Sequence, residues 1–173
     1  MKADNGSSYS IPVRGISVGK HHFDFFLDGL FFEEFDNNDV IGATIHVDME
    51  ADRTAMVMNI SGMMKGEVTV ECDRCLDNLR LPIEVPLSLM VKFARSEEAK
   101  AEESDEIVVV DLSEGELDLS QYLYDMAILS LPLQRFHKDG DCNLEMMERL
   151  KLLSKASGAG EENPFAALKS LNN

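Results

Sequence analysis

Residues Val68-Thr69-Val70-Glu71-Cys72-Asp73-Arg74-Cys75-Leu76 place a C-x-x-C pair at the end of an alternating β-type run, and a second alternating run follows at once. Leu79, Leu81, Ile83 and Val85 recur at every second position with Arg80, Pro82 and Glu84 between them, the period of a strand with one wet face. Two strands joined by so short a polar segment form a hairpin. A redox C-x-x-C stands instead where a strand enters a helix, whose N-terminus lowers the attacking thiol's pKa. The spacing therefore predicts a zinc-knuckle turn or a shaped structural turn at a hairpin tip, and argues against a dithiol oxidoreductase.

A structural zinc takes four Cys or His ligands, of which Cys72 and Cys75 supply two. His137 and Cys142, in a Gly- and Asp-rich segment, supply two more if that segment folds back onto the hairpin tip. The alternative is a pair of thiols packed in a turn, with Cys142 an independent small residue and His137 solvated. An odd cysteine count in a chain whose first residues lack a signal-peptide core argues against a disulfide framework and for thiols reduced or bound to metal. A cytoplasmic location with no membrane span is the expectation. His21 and His22 are neighbours and point to opposite faces of a strand, and His46 falls on a polar face. Met56, Met58, Met63 and Met64 suit core filler or bulge positions. No nucleophile has a local signature and no Gly-rich loop opens a helix, so nothing points to an enzyme.

Elsewhere, residues 10–13, 22–27, 40–49, 54–60 and 64–71 read as strands, with a break expected at Ser61-Gly62 and another at Pro86, before residues 87–93. Ile107-Val108-Val109-Val110 is a β-branched run of strand length, expected to be the most buried strand. Residues 118–131 change period: Leu119, Tyr122, Leu123, Met126, Ala127 and Ser130 form a helical stripe, capped by Asp118 or Ser120 and stopped by Pro132. Asn143 caps a further helix with Leu144, Met147, Leu150 and Leu153 on its apolar side. Asn163-Pro164 opens a short terminal helix after a linker-like Gly158-Ala159-Gly160. The fold class that follows is α+β: an antiparallel sheet or partly closed barrel with a covering helix and short C-terminal helices. One domain spans residues 1–157, and residues 158–173 form a linker and helix.

The formal net charge is -16, which makes bare nucleic acid a poor default partner, because phosphate binding draws its affinity from Lys and Arg. Residues 97–118 hold ten acids against Lys100 alone and so carry -9 of it. Such a run is either a solvated, self-repelling loop or a docking surface for a basic partner.

Three segments taken together resemble the YceD family, the large ribosomal RNA subunit accumulation proteins. They are Glu71-Cys72-Asp73-Arg74-Cys75 with its flanks, Leu117-Asp118-Leu119 leading to Leu131-Pro132-Leu133, and Asn163-Pro164-Phe165-Ala166-Ala167-Leu168-Lys169-Ser170-Leu171. The resemblance implies a factor needed for accumulation or processing of large-subunit ribosomal RNA, with no obligatory catalysis. It also implies that His137 and Cys142 stand where many members carry two further cysteines. Combined with the acidity, it points to the large-subunit precursor or a basic ribosomal protein as partner, held through Glu97, Glu98, Glu102, Glu103, the hairpin tip with Arg74 and Arg80, and Phe165 with Leu168 as an apolar anchor. Two alternatives stand beside it. One is a zinc-knuckle RNA-binding module using Arg74, Arg80, Lys92 and Arg95; the other is a metalloenzyme with an open zinc position.

Overall fold

The computed structural model describes residues 9–94, 107–111 and 115–157. Alternation of buried and exposed side chains builds an open five-stranded sheet in the order β2-β3-β4-β5-β6, formed by β2 (Gly19–Asp28), β3 (Val40–Arg53), β4 (Val57–Glu71), β5 (Asn78–Ala94) and β6 (Ile107–Asp111). A separate antiparallel pair joins β1 (Ser10–Pro12) to β7 (Glu116–Asp118). β2, β3 and β4 pair antiparallel. Between β4 and β5, the ion pairs Lys65–Glu84 at 2.8 Å and Glu67–Arg80 at 3.9 Å run in opposite senses along the two strands, as antiparallel neighbours require. The last pair departs from the expected antiparallel pairing: β6 runs parallel to β5, from Met90 opposite Ile107 to Ala94 opposite Asp111.

The core lies on one face of this sheet. Ile45, Val47, Met49 and Ala51 of β3, Met58, Ile60, Met64, Val68 and Val70 of β4, and Ile83 to Phe93 at odd positions of β5 are all buried. Both expected strand breaks are absent. Pro82 and Pro86 take exposed positions of the alternation, on a stretch of β5 that precedes its pairing with β6. Gly62 and Gly66 lie within β4 opposite Met49 and Ile45. A Cβ at Gly62 would come 2.2 Å from the Asp48 carbonyl oxygen, and one at Gly66 2.1 Å from that of Thr44. These glycines mark close approach of two backbones rather than a turn.

β6 is not the most buried strand: among residues 107–110 only Val110 is buried. Its β-branched run reports strand propensity, whereas burial is set by its place at the end of the sheet. Met56, expected as core or bulge filler, is exposed, while Met58 and Met64 are buried.

The apolar run Leu30-Phe31-Phe32 forms α1 (Gly29–Glu33), because the Asp28 side chain accepts from Phe31 N and caps it. Phe31 and Phe32 are buried beside Tyr9, whose ring meets Phe31 edge-on at 4.7 Å. α2 (Ser120–Leu129) buries Leu123 and Ala127, with the preceding Leu119 buried too. Asp118 accepts from the N–H and hydroxyl of Ser120 just before the first turn. Tyr124 stacks on Phe35 at 4.3 Å, and Tyr122 reaches β5, its hydroxyl accepting from Ser88 N at 2.9 Å and lying 3.1 Å from Ser88 O. Asn143 caps α3 (Leu144–Ser157) through Glu145 N and Met146 N. The leucines of that helix, Leu144, Leu150, Leu152 and Leu153, are exposed. No helix among the described residues is long and apolar enough to cross a membrane.

The chain divides into two compact units, Met1–Val70 with Arg80–Leu133 and Glu71–Leu79 with Gln134–Asn173. The first holds most of the sheet, α1 and α2; the second holds the C-x-x-C turn, the His137 segment and α3.

Candidate metal centre

The smaller unit is organised around the tip between β4 and β5. Cys72 N donates to Asp77 O at 2.9 Å, and Leu76 N donates to Cys72 O at 2.9 Å, so the six residues from Cys72 to Asp77 close into a tight turn. Leu76 takes a left-handed backbone, φ 62°, which lets the chain reverse directly after the second cysteine. This geometry turns both sulfurs inward: Cys72 and Cys75 are buried although the neighbouring Asp73, Leu76 and Asp77 are exposed.

The segment beginning at Gln134 closes over this turn through matched main-chain and side-chain bonds. Asp73 N donates to Arg135 O at 2.8 Å, Arg135 N donates to Asp73 Oδ2 at 2.7 Å, and the Arg135 guanidinium lies 3.5 Å from Asp73 Oδ1. The Arg74 guanidinium lies 4.3 Å over the Phe136 ring and 3.8 Å from Asp139. His137 and Cys142 are thereby brought to the two knuckle cysteines.

The ligand atoms of Cys72, Cys75, His137 and Cys142 all lie within 4.8 Å of one another. A tetrahedral zinc with Zn–S near 2.3 Å holds its sulfurs about 3.8 Å apart and a sulfur and a nitrogen about 3.6 Å apart. Cys75 Sγ and His137 Nδ1 are 3.4 Å apart. His137 Nε2 lies 3.2 Å from Asn78 O, and a carbonyl only accepts, so Nε2 carries a proton and, in the neutral imidazole, Nδ1 is left with a lone pair for a metal. A metal-bound histidine is held this way, with its second ring nitrogen donating to an oxygen. Three buried thiols and an oriented imidazole fit a closed Cys3His site of the structural kind.

The electrostatics of the cluster favour a thiolate at one position. Burial raises the Cys72 thiol, but the backbone N–H groups of Cys75, Arg74 and His137, with the Cys75 thiol, outweigh it and bring Cys72 down to about 6. The Cys72 sulfur raises the His137 imidazole, opposed by burial and helped by Cys75 and the Asn78 carbonyl. Burial, then the neighbouring sulfurs, push Cys142 up to about 11. Without a cation the favoured negative charge sits on Cys72; a divalent cation supplies what the Cys142 thiol needs to ionise.

Comparison with known proteins supplies a family for the chain. The family described as "Large ribosomal RNA subunit accumulation protein YceD" matches residues 60–172. The chain belongs to the YceD family. A curated YceD relative from Haemophilus influenzae is 27% identical over 117 residues, which cover 65% of this chain and 64% of the relative. The match thus spans a little under two thirds of that relative's length. No solved structure matches the chain. The YceD match begins within β4 and includes all four ligand candidates.

The other sequence-derived candidates are placed as follows. Arg74 belongs to the metal-site unit, engaged with Phe136 and Asp139, and Arg80 is exposed on β5 near Glu67. Glu97, Glu98, Glu102, Glu103, Arg95, Phe165 and Leu168 lie outside the described residues. Asp73, Arg135 and Phe136, which assemble the site, carry no signature on their own. Their one signal is reciprocal: an Asp-Arg pair sits inside the knuckle, and an Arg-Phe pair directly precedes the histidine.

Proposed function

We propose that this protein is a cytoplasmic, non-catalytic factor for accumulation of large-subunit ribosomal RNA, in which a zinc held by Cys72, Cys75, His137 and Cys142 fixes the smaller unit. Family membership supports the process, and the convergence of those four side chains supports the metal. Four protein donors complete a zinc's coordination and leave no position for an activated water, which favours a structural over a hydrolytic centre. The zinc would supply cross-linking of the turn to the segment after Gln134, while the Asp73–Arg135 and Arg74–Phe136 contacts orient its ligands.

The partner is a basic ribosomal protein or an assembly intermediate containing one. With a formal charge of -16, the chain has the electrostatics of a holder of cationic proteins rather than of a phosphate-gripping module. The test is deletion of the gene, followed by sucrose-gradient profiles and mapping of large-subunit RNA ends, with complementation by wild type and by Cys72→Ser. Loss of large subunits restored by wild type alone is the expected result. An unchanged profile would sink the proposal.

A further inference from the structure

α2 carries more apolar surface than its packing uses. Leu119, Leu123 and Ala127 are buried, yet Met126 is only half-buried and Leu129 is 80% exposed. These two side chains, with Leu89 of β5 and Val108 of β6, line a groove of about 530 Å³ within the larger unit. That volume accommodates one or two large apolar side chains rather than a folded surface.

The charges lining the groove are of one sign. Asp118 and Asp125 line it, and among the described residues no Lys or Arg does. Both acids are exposed and held in place locally, Asp118 Oδ1 accepting from Ser120 and Asp125 Oδ1 from Gln121. An apolar slot edged by two carboxylates, with no cation among its described lining residues, disfavours acidic ligands and phosphates and attracts cations that carry an apolar side chain.

We infer that this groove is the docking site for a short basic segment of a partner protein, whose one or two large apolar side chains enter between Met126, Leu129 and Leu89 while flanking Lys or Arg residues meet Asp118 and Asp125. This rests on the basic-partner proposal above and assigns it a surface. The apolar insertion fixes the segment in place, and the charges accelerate and select the encounter.

The test uses the full chain and 15-residue peptides tiling the large-subunit ribosomal proteins, read by fluorescence anisotropy, with Leu129→Ser and Asp125→Lys as variants. Both positions are exposed, so thermal melts are expected to match wild type and confirm folding. Support consists of tiles with an apolar residue flanked by Lys or Arg that lose at least tenfold in affinity with each variant. Absence of any binding tile, or binding indifferent to both variants, overturns the assignment. So does dimerisation abolished by Leu129→Ser in light scattering, since the occupant would then be a second copy. Retained co-sedimentation of both variants with large-subunit precursors would overturn the groove alone. Loss of co-sedimentation by the wild type as well would overturn the parent proposal.

Discussion

Asp73 and Arg135 hold each other from both sides: the backbone N–H of each donates to an oxygen of the other, at 2.8 and 2.7 Å, and the guanidinium adds a 3.5 Å ion pair. Two of the three contacts use the Arg135 main chain, so its side chain matters less than that of Asp73. Asp73→Ala is expected to weaken zinc binding by about ten- to a hundredfold, the usual cost of losing a group that orients metal ligands. Arg135→Ala is expected to cost clearly less. Competition titration against a chromophoric chelator measures both, and equal losses would contradict the main-chain account.

Protein purified without chelator should contain about one zinc per chain, as a closed four-ligand site requires. Cys72→Ser and His137→Ala should lose it, while His137→Cys should retain it, because thiolate replaces imidazole as a zinc ligand. Chelation should make residues 134–157 readily cleaved by protease, with the strand signal in circular dichroism kept. Elemental analysis showing no zinc in the wild type would remove the site.

In zinc-free protein, Cys72 links stability to pH. Its folded value of about 6 lies below the ordinary 9.0, so the stabilisation is fully present above about pH 9 and is lost as pH falls through about 6. Because the raised His137 imidazole contributes with the opposite sign, urea unfolding of zinc-free His137→Ala across this window should show that loss. The same experiment on Cys72→Ala should show a flatter profile.

Gly66 has no room for a methyl group, since its Cβ would fall 2.1 Å from the Thr44 carbonyl oxygen, whereas Gly42 has nothing within 4 Å. Gly66→Ala should destabilise the protein by about 3 kcal/mol, because backbone rather than a flexible side chain must move. Gly42→Ala should stay within about 0.5 kcal/mol of wild type. Chemical denaturation distinguishes the two.

Tyr122 is shifted upward by burial, with the Ser88 N–H opposing. Its phenol should therefore ionise above the ordinary 10.0, and its stabilising contribution, complete below that value, is lost as pH rises through the folded value. Tyr122→Phe should remove from the ultraviolet titration a phenol that ionises above the ordinary value. It should also cost about 1 kcal/mol through the hydrogen bond lost at Ser88.

The strands of this chain were legible because alternation is a local property: Ile45, Val47 and Met49 declare one face of β3 without reference to any other residue. The α2 stripe and the Asn143 cap were legible for the same reason. Gly62 and Pro86 misled as strand breaks because both residues usually punctuate secondary structure. Gly62 answers to a neighbouring backbone, and Pro86 to an exposed position on β5, neither of which appears in local sequence. The parallel placement and partial burial of β6 were likewise invisible, since β propensity names a conformation and not a neighbour.

By itself the sequence determined which side chains could bind a metal, Cys72, Cys75, His137 and Cys142, and that the first two lie in a hairpin turn. Only the tertiary structure decided that the four meet. Cys75 and His137 are 62 positions apart, and their approach depends on Asp73 and Arg135 closing that long loop across the turn. Closure of such a loop is opposed by chain entropy and won by contacts distributed over both ends, so no single local pattern announces it.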